Sequence, residues 1–298
     1  MMVLAGGLFV ALLPSFAIGQ SSVAGEMFSF RNGIVNDGTT VVGPPHRGFF
    51  GSMPTTFSYD SKSGLADMAM PTVAYHFKPW LSANMALPYY LYMNATQYNA
   101  KGFLQESGHD FVLSDMIFAG HYNRTFDLFD CTVTGSTSAP IGDKSLGVST
   151  GRMTGGVNGH FDRQFGNLSA DMDLGFGDSS ELVRESSRKN YTSLGNLGFA
   201  QVGSSLTLQR SMNVEAHAYE QVPMGTQTVL TTVSRKNGEP TVLHNSSAAD
   251  DYGVTTRLDL PLTQKMGLSA NYSYSVPLQD TSVGVSLTLI LYKPIERY

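Results

Sequence analysis

The sequence predicts an all-β protein: a transmembrane, antiparallel, up-and-down β-barrel of about 12 strands. Three observations lead there. Residues 266–292 alternate with a period of two, segments of the same kind recur upstream, and an apolar leader precedes them all. In the last stretch Met266, Leu268, Ala270, Tyr272, Tyr274 and Val276 share one face, with Gly267, Ser269, Asn271, Ser273 and Ser275 on the other. The pattern restarts with Val283, Val285, Leu287, Leu289 and Leu291 against Ser282, Gly284, Ser286 and Thr288. Successive side chains of a strand point to opposite faces, so each segment has one apolar and one small polar face. A soluble sandwich alternates too. The recurrence, the small polar face and the leader together favour lipid outside and water or polar side chains inside.

Composition narrows the class further. The net charge of -5 lacks the basic excess of a nucleic-acid binder. Beyond the leader, no apolar run reaches the roughly 18 residues of a transmembrane helix. A membrane protein without such a run must close a barrel, because lipid cannot satisfy an open sheet edge. The chain carries neither a dinucleotide-binding glycine fingerprint nor a phosphate-binding loop, and no cofactor is expected.

Residues 1–19 read as a signal peptide: an apolar core over residues 3–13, a break at Pro14, and small residues at Ala17-Ile18-Gly19. Residues 20–47 lack a sustained period and carry Asn36-Asp37-Gly38 and Pro44-Pro45, so they read as a periplasmic N-terminal segment or an insert at the barrel mouth. The barrel is expected over residues 48–292, with a C-terminal tail over 293–298.

The strands follow in order. Residues 49–59 form a weaker first strand, and 72–77 a second, with Val73, Tyr75 and Phe77 outward. Residues 81–92 turn Leu81, Ala83, Met85, Leu87, Tyr89 and Leu91 outward, and 114–122 do the same with Met116, Phe118, Gly120 and Tyr122. Further strands are expected over 126–138, 151–161, 168–176, 190–208, 212–219 and 252–262. The stretch 190–208 alternates poorly around Gln201-Val202-Gly203, where a bulge is expected. Short links at 78–79, 123–125, 164–166, 209–211 and 263–265 take turns with long ones at 61–71, 95–113, 139–150, 177–189 and 222–251. Short periplasmic turns and long outer loops produce that rhythm. The last outer link, 277–281, is short.

Several short motifs carry a resemblance. Leu87-Pro88-Tyr89 ends one strand, Leu113-Ser114-Asp115 opens the next, and Pro140-Ile141-Gly142-Asp143 follows with Gly147 and Gly151. In this the chain resembles outer-membrane proteins of the phenol-degradation meta-pathway type, transporters distantly similar to the long-chain fatty acid transporter group. The resemblance covers residues 64–292, and Ile141 stands where that family usually has Thr. It implies passage of small, often aromatic or hydrophobic compounds through an outer-membrane barrel. It carries no substrate residues over.

The inward polar residues are the candidates for a lumen path: His76, Asp115, His121, Arg152, His160, Asp171, Asp173, Glu215, His217, Arg257 and Asp259. Rings of charged side chains select ions and solutes. The plain alternative is a structural network in which acids and bases neutralise one another and fill the lumen. Glu215 and His217 share a face two residues apart, but no third metal ligand can be placed, and no metal is expected. Some barrels of this size are phospholipases built on Ser, His and Asn. The one His-x-Ser here, His244-Asn245-Ser246, falls in the longest loop, so an enzyme is not expected. Cys131 faces outward beside Val133, and aromatic residues such as Trp80, Tyr122 and Phe165 gather near strand ends as girdles. Arg184, Arg188 and Lys189 make a basic loop stretch, read as solvated. The expected location is the outer membrane of a Gram-negative-type bacterium. The expected partners are outer-membrane lipid and lipopolysaccharide, the barrel assembly machinery that reads a terminal aromatic (Tyr292 or Tyr298), and a small-molecule solute, with no nucleic acid. The reading is a passive channel. The alternatives are a closed barrel with a structural or surface role and, after that, a phospholipase-like enzyme.

Overall fold

The computed structural model describes residues 48–61, 64–98, 104–143, 146, 148–149, 151–178, 196–208, 212–224, 229–234, 240–246, 250–263, 265–277 and 279–292. The leader, the periplasmic segment, the basic stretch at 184–189 and the tail after Tyr292 lie outside the described residues. The first strands are β1 (Gly48–Asp60), β2 (Gly64–Ala69), β3 (Thr72–Lys78), β4 (Leu81–Ala86), β5 (Tyr89–Tyr98) and β6 (Leu104–Leu113). Then come β7 (Met116–Thr125), β8 (Asp130–Ala139), β9 (Thr154–Phe165), β10 (Leu168–Asp178), β11 (Asn196–Thr207) and β12 (Asn213–Met224). The chain ends with β13 (Val229–Ser234), β14 (Pro240–Ser246), β15 (Asp251–Thr263), β16 (Met266–Ser275) and β17 (Asp280–Tyr292).

These segments build one wall. β2/β3, β4/β5 and β6/β7 are each a single barrel strand, interrupted at Met70-Pro71, Leu87-Pro88 and Ser114-Asp115. With those halves joined and the separate hairpin β13–β14 set aside, the described residues form a closed antiparallel barrel of twelve strands. β17 closes it against β1 in unbroken register from Phe50↔Tyr292 to Asp60↔Ser282. The interruptions have a common cause. The N–H groups of Met70, Leu87 and Ser114 donate to the carbonyls of Pro54 (2.9 Å), Pro71 (3.1 Å) and Pro88 (3.0 Å). Proline has no N–H to return, so the ladder is one-sided along an oblique line through these neighbouring strands.

The two faces differ as the alternation predicts. On β17, Val283, Val285 and Leu287 are 42%, 49% and 38% exposed, whereas Ser282, just before Val283, is 3% exposed. The exposed belt continues through Phe57, Val73, Phe118, Val157, Leu174, Val202 and Val254 around the barrel. An apolar surface of that extent marks contact with lipid. Edge-to-face ring pairs line one end of the belt: Phe49–Tyr75 (4.8 Å), Trp80–Tyr122 (5.7 Å) and Phe129–Phe161 (5.9 Å). The cations of Lys78, Arg124 and Arg163 lie over Trp80, Phe126 and Phe165 beside the short turns. Cys131 is half-buried on the outward side, next to exposed Val133.

Several boundaries need correction. The expected long loops at 61–71 and 95–113 are largely strand, occupied by β2, the end of β5 and β6. Bulges hid them: the register slips between Asp67 and Met68, and Phe111 takes a left-handed backbone (φ 58°) in β6. A bulge shifts the face on which each later residue falls, so a period of two cannot be followed through it. In contrast, β11 pairs with both neighbours without a slip, so the bulge expected at Gln201-Val202-Gly203 is absent. Its poor alternation comes from Leu197 and Phe199, apolar residues on the inner face and both buried. β8 begins at Asp130, after a turn in which Phe126 N–H bonds Phe129 O, rather than at Phe126. β9 begins at Thr154 rather than Gly151, and β12 runs on to Met224. The long link before β15 carries the hairpin β13–β14, with His244, Asn245 and Ser246 on β14.

The facing of the wall predicts an asymmetric response to charge. Leu174 stands 47% exposed on the outer face near the middle of β10, and Leu174→Arg should cost about 2–4 kcal/mol in a folding titration from liposomes. Ser136, exposed on the inner face of β8, should accept Arg at a much smaller cost. Equal penalties would mean that both faces are packed in a dry core.

Candidate lumen-lining site

Directly opposed residues in an antiparallel sheet point to the same face, so the register maps the interior row by row. One row runs Asp130–Asp162–Asp171–Gly203–His217–Thr255–Ser273–Ser282–Asp60. The next runs Thr132–His160–Asp173–Gln201–Tyr219–Gly253–Ser275–Asp280. A third, on the far wall, joins His76, Ser82, His121, Thr134 and Asn158.

The expected lumen residues form specific pairs. His160 Nδ1 lies 2.8 Å from Asp173 Oδ1, and its Nε2 lies 3.6 Å from Asp162 Oδ1. His217 Nε2 lies 3.0 Å from Asp171 Oδ1, reaching from β12 to β10 across the intervening strand. Gly203 allows this. A Cβ there would sit 2.0 Å from His217 Cδ2 and 2.4 Å from Ala216 O. Arg257 Nε donates to Asp259 Oδ1 at 2.8 Å, and Asn213 Nδ2 donates to Glu215 Oε1 at 2.9 Å. Glu215 and His217 therefore share a face but turn to different partners. Burying a carboxylate is costly unless hydrogen bonds replace its water, and these partners supply them.

The far wall is neutral. Asn84 Nδ2 can only donate, so His121 Nε2 accepts at 3.1 Å; Nδ1 then carries the proton and donates to Thr134 Oγ1 at 2.9 Å. His76 is buried beside Ser82 in the same row. The two remaining expected residues sit at the end of the barrel away from the short turns. Asp115 occupies the break between β6 and β7, where its Oδ1 accepts the Gly142 N–H at 3.0 Å. Arg152 is exposed in the link before β9, so its expected place on an inward strand face is corrected. β9 starts at Thr154, later than the Gly151 that the alternation suggested.

Sequence reasoning missed other inward acids. Asp162 is two residues beyond His160, past the expected strand end, and Asp130 lies within the expected strand 126–138, two residues before Thr132, where the inward face was counted only from Thr132. Asp251 accepts from Ser275 Oγ at 2.5 Å and from Tyr219 OH at 3.5 Å. Gly253 leaves room for this knot, since a Cβ there would come 2.9 Å from Tyr219 Oη. Asp280 is fully buried and bonded by Ser61 Oγ. Among the described residues, no group of three His, Cys, Asp or Glu is arranged to hold a metal ion.

The architecture defines a class: a closed barrel with an apolar belt outside and a polar, acid-rich interior. No protein-family model matches the chain, and no curated protein matches it. Solved structures do. An outer membrane channel from Pseudomonas putida F1 superposes with a TM-score of 0.54 at 8% identity, over 84% of this chain and 97% of that one. The NanC porin (TM-score 0.49, 10% identity, 80% of this chain and 100% of that one) and the KdgM porin (TM-score 0.48, 6% identity, 81% and 99%) are also similar. The first likeness shows the fold, that of outer-membrane barrels.

Gly203 tests the interior network. Gly203→Ala should displace the His217 ring and lower stability by about 1–3 kcal/mol, the usual cost of overpacking. Gly135→Ala, where a Cβ meets nothing within 4 Å, should leave the unfolding midpoint in place. Matching midpoints for the two variants would mean that the Asp171–His217 pair contributes nothing.

Proposed function

We propose that the protein is a passive channel in the outer membrane of a Gram-negative-type bacterium, carrying small molecules through the barrel lumen. The observation that carries this reading is the inner face of β8 and its neighbours. Thr134 and Ser138 are only half-buried and Asp130 and Ser136 exposed, although all point inward. A filled core would bury them. The sequence motifs shared with the phenol-degradation meta-pathway type suggest small aromatic or hydrophobic solutes. The inward apolar residues Tyr90, Met93, Val112 and Phe199 support that choice. The side chains of His244, Asn245 and Ser246, the phospholipase-like candidate, lie outside the described residues. A second reading, a closed barrel with a structural role, draws on the burial of Asp171, Asp173 and Asp259 at 9%, 3% and 3% exposure.

The interior charge sets an expected selectivity. Among the described residues, Arg257 is the only Lys or Arg on an inward strand position, against Asp60, Asp130, Asp162, Asp171, Asp173, Glu215, Asp251, Asp259 and Asp280. An acid-lined path enriches cations. Reversal potentials in a planar bilayer under a salt gradient should show cation preference. Asp130→Asn/Asp162→Asn, at the more exposed carboxylates, should reduce it more than Asp171→Asn/Asp173→Asn. A silent bilayer with folded protein would leave the closed-barrel reading; conductance without preference would remove the acids from the path.

A further inference from the structure

A short motif repeats at three neighbouring short turns: a cation, one residue, then an aromatic ring. It reads Lys78-Pro79-Trp80 between β3 and β4, Arg124-Thr125-Phe126 between β7 and β8, and Arg163-Gln164-Phe165 between β9 and β10. In each, the cation lies over its own ring, 4.9, 5.0 and 5.1 Å from the centroid. β3, β4, β7, β8, β9 and β10 are consecutive in the wall, so the three turns form one sector of the rim.

The register places the cations on the lipid side. Lys78, Leu81 and Tyr122 are opposed in a row, and Tyr122 is 41% exposed on the outer face. Arg124 follows two residues later on that face. Arg124, Cys131 and Phe161 make the next such row, and Arg163 again follows two residues later. Each step is two strands across and two residues along, roughly 10 Å by 7 Å. Long Lys and Arg side chains can converge on one group across that interval. Rings fill the space between them: Trp80 meets Tyr122 at 5.7 Å, Phe126 meets Phe129 at 5.0 Å, and Phe129 meets Phe161 at 5.9 Å. The Asn123 N–H donates to Trp80 O at 2.9 Å and ties the first turn to the second. All three cations are exposed. Asp130 and Asp162 oppose each other on the inner face, and Asp127 shares the second turn. Lys265, in the short turn between β15 and β16, lacks the motif: Thr263 and Gly267 stand two residues away.

A ring face attracts a cation and fixes its position. Rings alone settle at the headgroup level whatever the headgroup is. Cations fixed among them discriminate, because they favour a headgroup with net negative charge. Barrels of this class turn their short links to the periplasm, where the leaflet is phospholipid. We infer that this sector is a binding site for anionic phospholipid. Lys78, Arg124 and Arg163 hold the phosphates, and Trp80, Tyr122, Phe129 and Phe161 carry the acyl chains. The lumen plays no part in it, so its failure and that of the channel reading are separate results.

Trp80 is the only tryptophan in the chain and reports from inside the sector. The full barrel is reconstituted in vesicles of phosphatidylcholine and phosphatidylglycerol, with bromine on the acyl chains of one lipid or the other. Bromine quenches a tryptophan it touches, so the two mixtures give the relative occupancy beside Trp80. One cation near an anionic surface accounts for roughly a fivefold preference, and the parent should favour phosphatidylglycerol by about that factor. Lys78→Gln/Arg124→Gln should bring the ratio close to one, and Lys265→Gln should leave it at the parent level. High salt should weaken the parent's preference, since exposed charges are screened. The salt arm needs no variant and decides the case in which the double variant fails to fold. Equal quenching by both lipids in the parent overturns the inference and leaves a plain aromatic girdle. A preference unchanged by the double substitution, or by salt, overturns it as well. An equal loss from Lys265→Gln overturns the assignment to this sector.

Discussion

The pairing of β1 with β17 is the contact on which everything else depends. In lipid, an unpaired backbone N–H or C=O costs several kcal/mol, and a sheet with two free edges would carry a row of them. Closure removes both edges. It also fixes every face in the molecule, since a slip of one residue would send each apolar side chain inward. The register at the seam is marked from inside. The hydroxyls of Thr56 and Ser286 meet at 2.6 Å across it, while Phe57 and Val285, the adjacent opposed pair, stand exposed on the outside.

Closure creates a second problem, which is how to fill or wet the interior of a narrow barrel. One wall solves it with carboxylates held by imidazole, guanidinium and amide donors, and two glycines make the space: Gly203 under His217 and Gly253 under Tyr219. The other wall uses neutral groups, with His121 between Asn84 and Thr134. The upper part of β2, β5 and β6 uses neither. It is apolar inside and is covered by a link whose own backbone is satisfied by the broken strand beneath it. β6 pairs only with β5 among the described residues, and at its end the link between β8 and β9 meets it, Asp143 N–H donating to Leu113 O at 3.1 Å.

The sequence is readable where the chemistry of the two faces differs. β10, β15, β16 and β17 alternate cleanly, and their inward and outward residues stand as the period of two assigned them. β2 and β6 escaped notice because a bulge resets the period and because Met68, Tyr90 and Val112 are apolar on the inner side. β11 misled for the reverse reason: Gly198 and Ala200 are small on the outside while Leu197 and Phe199 are apolar within. The candidate lumen residues were found by facing alone. Their partners were not, because the Asp171–His217 contact depends on two strand registers and on a glycine between them. Arg152 was misplaced because alternation of Arg152, Met153 and Thr154 continues smoothly past the true start of β9.

The central claim is a closed barrel with lipid on one face of each strand and water on the other. β8 is the place to test it, because its inner side is the most open. Single spin labels along Asp130–Ala139 would be read for collisions with dissolved oxygen, which partitions into lipid, and with a water-soluble nickel chelate. The account predicts a period of two: oxygen favoured at positions 131, 133, 135 and 137, the chelate at 132, 134, 136 and 138. Labels at the second set shielded from both reagents would mean a filled interior, and chelate access at both sets would contradict a membrane-spanning wall.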